Sequence, residues 1–182
     1  MASGRPRATT PETISEAACE LFLERGYTDT VIADIAARAG VSRSSFFNYF
    51  DSKAAILWSS LDARIAVVEA TLRDRSVRAT LEALGEGFAP DALALGLAHA
   101  DAMGAREELE RDAARRQMRI AAAVAHKLVS EGTEPLAAEI AGAAHGGAVL
   151  AAIRSWARDG AGRRPLSIPL ARALDIAAVT LA

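Results

Sequence analysis

The stretch that decides the fold is residues 32–49, which read IADIAARAGVSRSSFFNY. Gly40 stands between two short segments and tolerates the positive φ that a tight turn demands. Ala36 provides a small side chain at the point where two helices joined by such a turn must cross closely. Ser42 is a good cap for the helix that follows. These features predict two short helices joined by a sharp turn.

The side chains around this turn divide into an inner and an outer set. Apolar residues that would hold both helices to the rest of a domain are Ile35, Ala39, Val41 and Phe46. The second helix begins with the polar run Ser42-Arg43-Ser44-Ser45. Helix-turn-helix proteins place a helix with such a polar amino-terminal end in the major groove of DNA. The stretch therefore predicts a helix-turn-helix that reads DNA.

The flanking segments extend this unit into a small helical domain. A helix is predicted over residues 11–25, with Thr10 as its cap and a proline in its first turn. Thr30 is expected to cap the second helix. Asp51 and Ser52 are expected to cap a long helix that follows the helix-turn-helix.

The remainder of the chain has a helical composition. Apolar residues make up 51% of the chain and are largely Ala and Leu, which favour helix. No segment shows the alternating β-branched pattern of strands. Further helices are predicted over residues 53–73, 76–88, 91–103, 105–131, 135–158 and 169–181. The predicted fold class is therefore all-α.

Bulk charge does not support a DNA-binding function. The net charge is −2, and the first 58 residues contain six Lys and Arg against seven Asp and Glu. Glu12, Glu16, Glu20 and Glu24 recur every four residues, so they form one outward stripe on the first helix, and this stripe must face away from phosphates. The DNA-binding prediction therefore depends on where the charges lie.

Several other classes of protein are disfavoured. The single Cys19 excludes an intramolecular disulfide framework. No metal-ligand motif, phosphate loop or catalytic set of Ser, His and Asp is present, so no metal, cofactor or enzymatic activity is expected. The apolar segment Leu136–Ile153 is interrupted by Glu139 and His145, which indicates a core helix rather than a membrane span. We expect a cytoplasmic protein.

The region from Gly26 to Leu57 resembles the DNA-binding domain of TetR-family regulators. The resemblance is carried by Gly26-Tyr27, Ile35-Ala36-Ala37-Arg38-Ala39-Gly40-Val41-Ser42, Phe46-Phe47-Asn48-Tyr49-Phe50 and Asp51-Ser52-Lys53. It implies an N-terminal helix-turn-helix domain followed by a helical ligand-binding and dimerisation domain. The expected divisions are a flexible N-terminal arm (1–10), the helix-turn-helix domain (11–52) and the effector-binding and dimerisation domain (53–182).

The resemblance also implies a DNA contact for each matching position. Arg43, Ser44 and Asn48 would face base edges, and the Arg43 guanidinium matches guanine O6 and N7. The other positions expected at the DNA surface, mainly against phosphates, are Thr30, Ser42, Ser45, Phe47, Tyr49 and Lys53. Phe47 stands where the family often has Tyr. Its missing phenol hydroxyl leaves Tyr49 as the expected replacement.

A two-fold dimer that reads two half-sites overcomes the weak binding of a single helix-turn-helix. The last two helices are the expected interface, as the resemblance also implies. The interface residues predicted there are Gly142, Ala143, Gly146, Gly147, Leu150, Ile153, Trp156 and Leu174. In the alternative reading these glycines pack within one subunit.

The middle helices are expected to surround an effector pocket. Its predicted lining is Trp58, Leu61, Ile65, Phe88, His99, Met103, Met118 and His126, although apolar stripes at helical spacing are more often plain core. Arg111, Arg115 and Arg119 form a row on one helix face. Surface ion pairs are the favoured explanation of this row, and a site for an anionic ligand is the alternative.

The sequence thus predicts a dimeric transcriptional repressor that a small, largely apolar effector releases from operator DNA. Two alternatives remain open at this point. One is a transcriptional activator, and the other is a helical ligand-binding protein that has lost DNA reading. The sequence does not identify the effector, the operator or the regulated genes.

Overall fold

The computed structural model describes residues 10–160 and 163–180. This part of the chain contains nine α-helices and no strand, which confirms the all-α prediction. The helices are α1 (Pro11–Arg25), α2 (Ile32–Arg38), α3 (Arg43–Phe47), α4 (Lys53–Thr71), α5 (Val77–Leu84), α6 (Asp91–Ala98), α7 (Arg106–Ser130), α8 (Pro135–Asp159) and α9 (Ser167–Thr180). The predicted flexible arm over residues 1–10 lies, apart from Thr10, outside the described residues.

Helices α1, α2 and α3 form the head of the protein. Thr10 caps α1 as expected, because its hydroxyl oxygen accepts a hydrogen bond from the Thr13 N–H at 3.4 Å. Helix α1 ends at Gly26, whose φ of 86° is a conformation that side chains other than glycine rarely adopt. The buried side chains of the head are contributed by all three helices and the segment after α3: Ile14, Leu21, Phe22, Ile35, Phe46 and Phe50.

Helices α4 to α9 form the body of the protein. Helix α4 leaves the head and packs against α5, α6 and α7, while α8 lies against α6, α7 and α9. Trp58, Leu61 and Ile65 of α4 are fully buried. They belong to one continuous apolar core that also contains the buried side chains of the head. Helix α4 therefore packs in the core of the body and in the core of the head at the same time.

Helix α8 has the length and apolar composition of a membrane-spanning segment, but its packing is that of a core helix. Gly142 lies against the backbone carbonyl of Ala121 on α7, and Gly146 lies against that of Gln117. A Cβ atom at either glycine would come closer than 3.0 Å to these oxygens. The small residues of α8 therefore allow the close approach of α7 within one subunit.

Candidate DNA-binding site

The turn between α2 and α3 adopts the predicted geometry. Gly40 has a φ of 71°, and the Val41 N–H donates a hydrogen bond of 2.8 Å to the Ala36 carbonyl. Ala36 is only 3% exposed, which confirms that a small residue lies where the helices cross. The two helices of the predicted helix-turn-helix are therefore held at a fixed angle by a short, hydrogen-bonded turn.

Helix α3 is anchored at its amino-terminal end by Ser42. The Ser42 hydroxyl oxygen accepts a hydrogen bond of 3.0 Å from the Ser45 N–H, as predicted for a cap residue. The hydroxyls of Ser44 and Ser45 each lie 2.8 Å from it. These contacts place three hydroxyl groups together at the end of α3 that a major-groove reader turns toward DNA.

The outer face of α3 is exposed, whereas its inner face is buried. The exposed side chains of α3 and the residues that follow it are Arg43, Ser44, Phe47, Asn48 and Tyr49. Beneath them, Phe46 is fully buried and Phe50 is 3% exposed. Phe46 and Phe50 thus fix one side of this segment in the core. The opposite side, about one and a half helical turns long, remains exposed.

Phe47 contributes to this surface by supporting Arg43. The Arg43 guanidinium lies 5.8 Å from the centre of the Phe47 ring, within the range of a cation–π contact. Phe47 is 43% exposed, and its ring packs edge-on against Phe46. A phenyl ring cannot donate a hydrogen bond to a phosphate, but it supports the guanidinium that is predicted to read a base edge.

The arginines of the head differ in whether they have an acidic partner. Arg38 of α2 bonds to Glu20 at 3.0 Å and to Glu24 at 2.8 Å on α1. Its hydrogen bonds lower the pKa of Glu24. Arg25 pairs with Asp34 at 3.3 Å. Arg43 makes no ion pair with any described residue, so no carboxylate of the described chain neutralises its charge.

Lys53 is committed largely to the protein itself. Its Nζ donates hydrogen bonds of 2.6 Å to the Tyr27 carbonyl and 2.8 Å to the Thr30 carbonyl, and it lies 4.4 Å from the centre of the Tyr27 ring. Burial lowers the pKa of Lys53. Because an ammonium group has three N–H donors, one remains for the predicted phosphate contact.

The two roles predicted for Thr30 are wrong. Thr30 is fully buried, and its hydroxyl donates to the carbonyls of Leu21 and Gly26 at 3.2 and 2.8 Å. It therefore cannot reach a phosphate. The N-cap of α2 is Val31, which has no side-chain capping bond. Thr30 instead stabilises the turn after α1 through these two hydrogen bonds. A threonine in this role and a threonine that caps the next helix occupy the same position in the sequence, so the sequence does not distinguish them.

A partly buried ion-pair network joins α4 to α7. Arg116 of α7 is 8% exposed, bonds to the Asp62 carboxylate on α4 and donates to the Asp112 carbonyl at 3.0 Å. Its guanidinium lies 4.7 Å from the centre of the Trp58 ring. Burial lowers the pKa of Arg116, and the bond to Asp62 opposes this effect. Arg119 adds a second bond to Asp62 at 3.2 Å.

The arginine row of α7 is matched by carboxylates. Arg111 pairs with Glu107 at 2.9 Å, Arg115 pairs with Asp112, and Arg119 pairs with Glu69 of α4 at 2.9 Å. This arrangement confirms the interpretation of the row as ion pairs. Its third member reaches across to α4, so it strengthens the network around Asp62.

The predicted effector residues are divided between the core and the surface of the subunit. Five of them are core residues no more than 4% exposed: Trp58, Leu61, Ile65, Phe88 and Met103. The predictions for Met118, His99 and His126 are wrong. Met118 is 69% exposed, and both histidines are exposed, because α7 turns its two positions outward and His99 is the residue at which α6 ends.

Some of the residues predicted at the dimer interface are buried within the subunit, and others are accessible. Leu150, Ile153, Trp156 and Leu174 are at most 2% exposed, so they belong to the core of the subunit and their predicted interface role is wrong. The same holds for Gly142 and Gly146, which pack against α7. Ala143 is exposed and Gly147 is half-buried, so these two remain candidates.

Sequence reasoning missed the apolar side chains that α8 and α9 expose. They are Leu136, Ile140, Ile168, Ile176 and Val179, each more than half exposed. In both helices apolar residues occur on two faces, and this was the available signal. A helix of a single subunit needs one apolar face, so a second such face indicates a second packing partner.

Comparison with known proteins agrees with this geometry. Residues 14–58 match the family model described as bacterial regulatory proteins, tetR family. The mycofactocin biosynthesis transcriptional regulator MftR of Mycobacterium tuberculosis, as its name describes it, is 44% identical over 69 residues. The match spans 38% of this chain and 35% of MftR. Sequence similarity to this relative is thus concentrated in about a third of its length.

Two solved structures are similar over nearly the whole chain. Thermus thermophilus FadR, a TetR-family transcriptional repressor in complex with lauroyl-CoA, is 26% identical with a TM-score of 0.50 and 93% of both chains covered. NalD, the secondary repressor of an efflux pump in Pseudomonas aeruginosa, covers 93% of both chains at a TM-score of 0.58 and 22% identity, which shows a shared fold.

An N-terminal helix-turn-helix on an all-helical body is the architecture of a bacterial transcriptional regulator. Residues 14–58 match the DNA-binding region of the TetR family, and the chain shares its overall fold with TetR-family structures.

Proposed function

We propose that the chain is a homodimeric transcriptional repressor that a small, largely apolar effector releases from operator DNA in the cytoplasm. One observation carries the DNA-binding part. Helix α3 exposes Arg43 and Ser44, and its C-cap residue Asn48 is exposed as well, while Phe46 is buried in the core. A guanidinium without an ion pair to any described residue, beside short polar side chains, provides the hydrogen-bonding groups that recognise base edges in the major groove.

The exposed apolar face of α8 and α9 supports the proposal of a dimer. Leu136 and Ile140 lie one turn apart on α8, and Ile168, Ile176 and Val179 extend along α9. Two copies of this face related by a two-fold axis would form a four-helix interface, as the family resemblance implies. Burial of these side chains supplies the hydrophobic contribution that an isologous interface needs.

The effector part of the proposal is supported by FadR from Thermus thermophilus, which is similar over 93% of the chain and was solved in complex with lauroyl-CoA. A long acyl chain belongs to the class of largely apolar ligands. Helix α4 provides a route from body to head, because its Lys53 end bonds to the head while Asp62 bonds to α7. Binding in the body changes DNA affinity only if the effector prefers one position of α4.

A fluorescence-anisotropy titration of the full chain against DNA upstream of its own gene tests this function. We expect sequence-specific binding at moderate salt, competed poorly by unrelated DNA, and weakened by lauroyl-CoA. Sedimentation velocity of the free protein should give a dimer. Equal affinity for unrelated DNA would reject the repressor and favour a ligand-binding protein without DNA reading. Specific binding that lauroyl-CoA and other acyl-CoA esters leave unchanged would reject this class of effector.

A further inference from the structure

A groove of about 490 Å³ lies where the head meets the body, and neither DNA reading nor dimerisation uses it. Helix α1 forms one wall, and helices α4 and α6 form the other. The apolar part of its lining consists mainly of Cys19, Leu23, Ile56, Ala92 and Leu95. The volume is within the range of small-molecule sites, which are concave and mostly apolar.

The charged part of the lining has one sign. Glu12, Glu16 and Glu20 project from α1, and Asp91 projects from the start of α6, while no Lys, Arg or His among the residues that the structure describes lines the groove. Glu20 is already paired with Arg38. The other three carboxylates make no ion pair with any described residue. Within the part of the chain that the structure describes, the negative charge on both walls of this apolar groove is therefore not compensated by an ion pair.

We propose that this groove binds an amphiphilic organic cation, with its apolar body against Ile56 and Leu95 and its positive charge between the carboxylates of α1 and α6. The apolar lining favours a ligand that removes hydrocarbon surface from water. Like-charge repulsion disfavours an organic anion of the same shape. The carboxylates attract a cation from both sides, and this attraction is stronger beside the apolar lining than in bulk water.

Such a ligand would contact head and body at the same time. It therefore favours the separation of α1 and α6 seen here over any other separation. If DNA binding requires the head to shift on the body, the cation and DNA affect each other's affinity reciprocally. This consequence rests on the proposed repressor function, whereas the binding of the cation does not.

The chain contains a single cysteine, and its place in the groove provides a direct probe. Burial, with a smaller contribution from Asp91 and Glu20, raises the pKa of Cys19 to about 11. Alkylation by iodoacetamide at pH 9 should consequently be slow and measurable by mass spectrometry. The experiment uses the full-length protein without DNA, so its failure would leave the repressor proposal intact.

The ligands are tetraphenylphosphonium and tetraphenylborate, which share a shape and carry opposite charges. At a concentration about ten times its dissociation constant, tetraphenylphosphonium should slow the alkylation of Cys19 about tenfold. Tetraphenylborate should leave the rate unchanged. Equal protection by both ions, or protection by neither, would overturn the proposal, because the groove would then be a general apolar site or no site.

A charge-neutral variant localises the effect. Glu16→Gln combined with Asp91→Asn keeps the shape of both walls and should raise the dissociation constant of tetraphenylphosphonium, measured by this protection, about tenfold, as expected for two partly exposed charges. Glu139→Gln, an exposed carboxylate on α8, is the matched control and should retain full protection. Circular dichroism confirms that the variants are folded. Unchanged protection in the double variant would place the cation elsewhere and reject the site.

Discussion

Two pairs of helices in this protein are brought together by glycine, for different physical reasons. At the turn between α2 and α3, Gly40 has a φ of 71°, and an added Cβ would meet nothing within 4 Å. Between α7 and α8, an added Cβ at Gly142 would meet the Ala121 carbonyl closer than 3.0 Å. Gly40 is required for its backbone conformation and Gly142 for the space that it leaves. The first requirement is local, and the second depends on a residue 21 positions earlier in the chain.

The largest effect is expected where glycine provides space. Gly142→Ala should destabilise the protein by about 3 kcal/mol, because the methyl group meets a backbone carbonyl that cannot rotate away. Urea denaturation monitored by circular dichroism measures the change. The matched control is Gly147→Ala, whose Cβ would lie 3.7 Å from the nearest atom. It should be as stable as the parent or slightly more stable, since alanine is the better helix former. Equal losses in the two variants would show that close packing of α7 is not the cause.

A second change tests whether ion pairs, in addition to close packing, stabilise the contact of α7 with α4. Asp62→Ala should cost about 2 kcal/mol, because it leaves the buried Arg116 guanidinium without its partner on α4, discounted for the partial exposure of Asp62. Glu107→Ala removes an exposed pair on the same helix and should leave the unfolding midpoint unchanged. Thermal unfolding of both variants at one salt concentration compares them directly. A stable Asp62→Ala protein would mean that the network does not hold α4.

The exposed surface of α3 offers the corresponding test in the head. Arg43→Ala should weaken specific DNA binding by about 2 kcal/mol, or about thirtyfold, through loss of a base contact. The Tm should not change, because the Arg43 side chain is exposed and without an ion pair. Arg38→Ala, whose charge is taken up by Glu20 and Glu24, is the control and should retain DNA affinity. Anisotropy titrations on one operator fragment distinguish the two. Equal loss in both variants would indicate a nonspecific effect of charge.

The smallest effect is expected where glycine provides conformation. Gly40→Ala should cost about 1 kcal/mol, since an alanine at positive φ strains only its own backbone. Gly40→Asn should cost less, because asparagine tolerates the left-handed region. Urea unfolding of the two variants provides the measurement. A loss as large as that of Gly142→Ala would contradict the distinction between the two glycines.

The head shows how much of the fold can be predicted from sequence. The turn at Gly40 and the caps at Thr10, Ser42 and Ser52 were all predictable, because each depends on residues a few positions apart. Thr30 was not, because a hydroxyl that could cap α2 instead bonds to carbonyls of the preceding corner. Capping and corner-closing threonines look alike until the chain has folded around them.

The body shows where sequence reasoning stopped. Helical periodicity predicted the number of helices and their approximate ends. It also identified Leu150, Ile153 and Trp156 as apolar contact residues, but it assigned them to a second subunit when they lie in the core of the first. Periodicity also predicts Met118 as a pocket residue, and this prediction is wrong because its side chain is exposed. Periodicity shows that a face packs against a partner and does not show which partner.

The sequence by itself therefore determined the all-α class, the helix-turn-helix, the resemblance to the TetR family and the polar residues that α3 and its C-terminal end expose. All of these follow from backbone preferences and side-chain spacing within one or two turns of helix. The tertiary structure alone decided that Gly142 faces α7, that Arg116 is buried against Asp62, and that α1 and α6 enclose an acidic groove. These are contacts between distant segments, and their partners are chosen by the packing of the whole core.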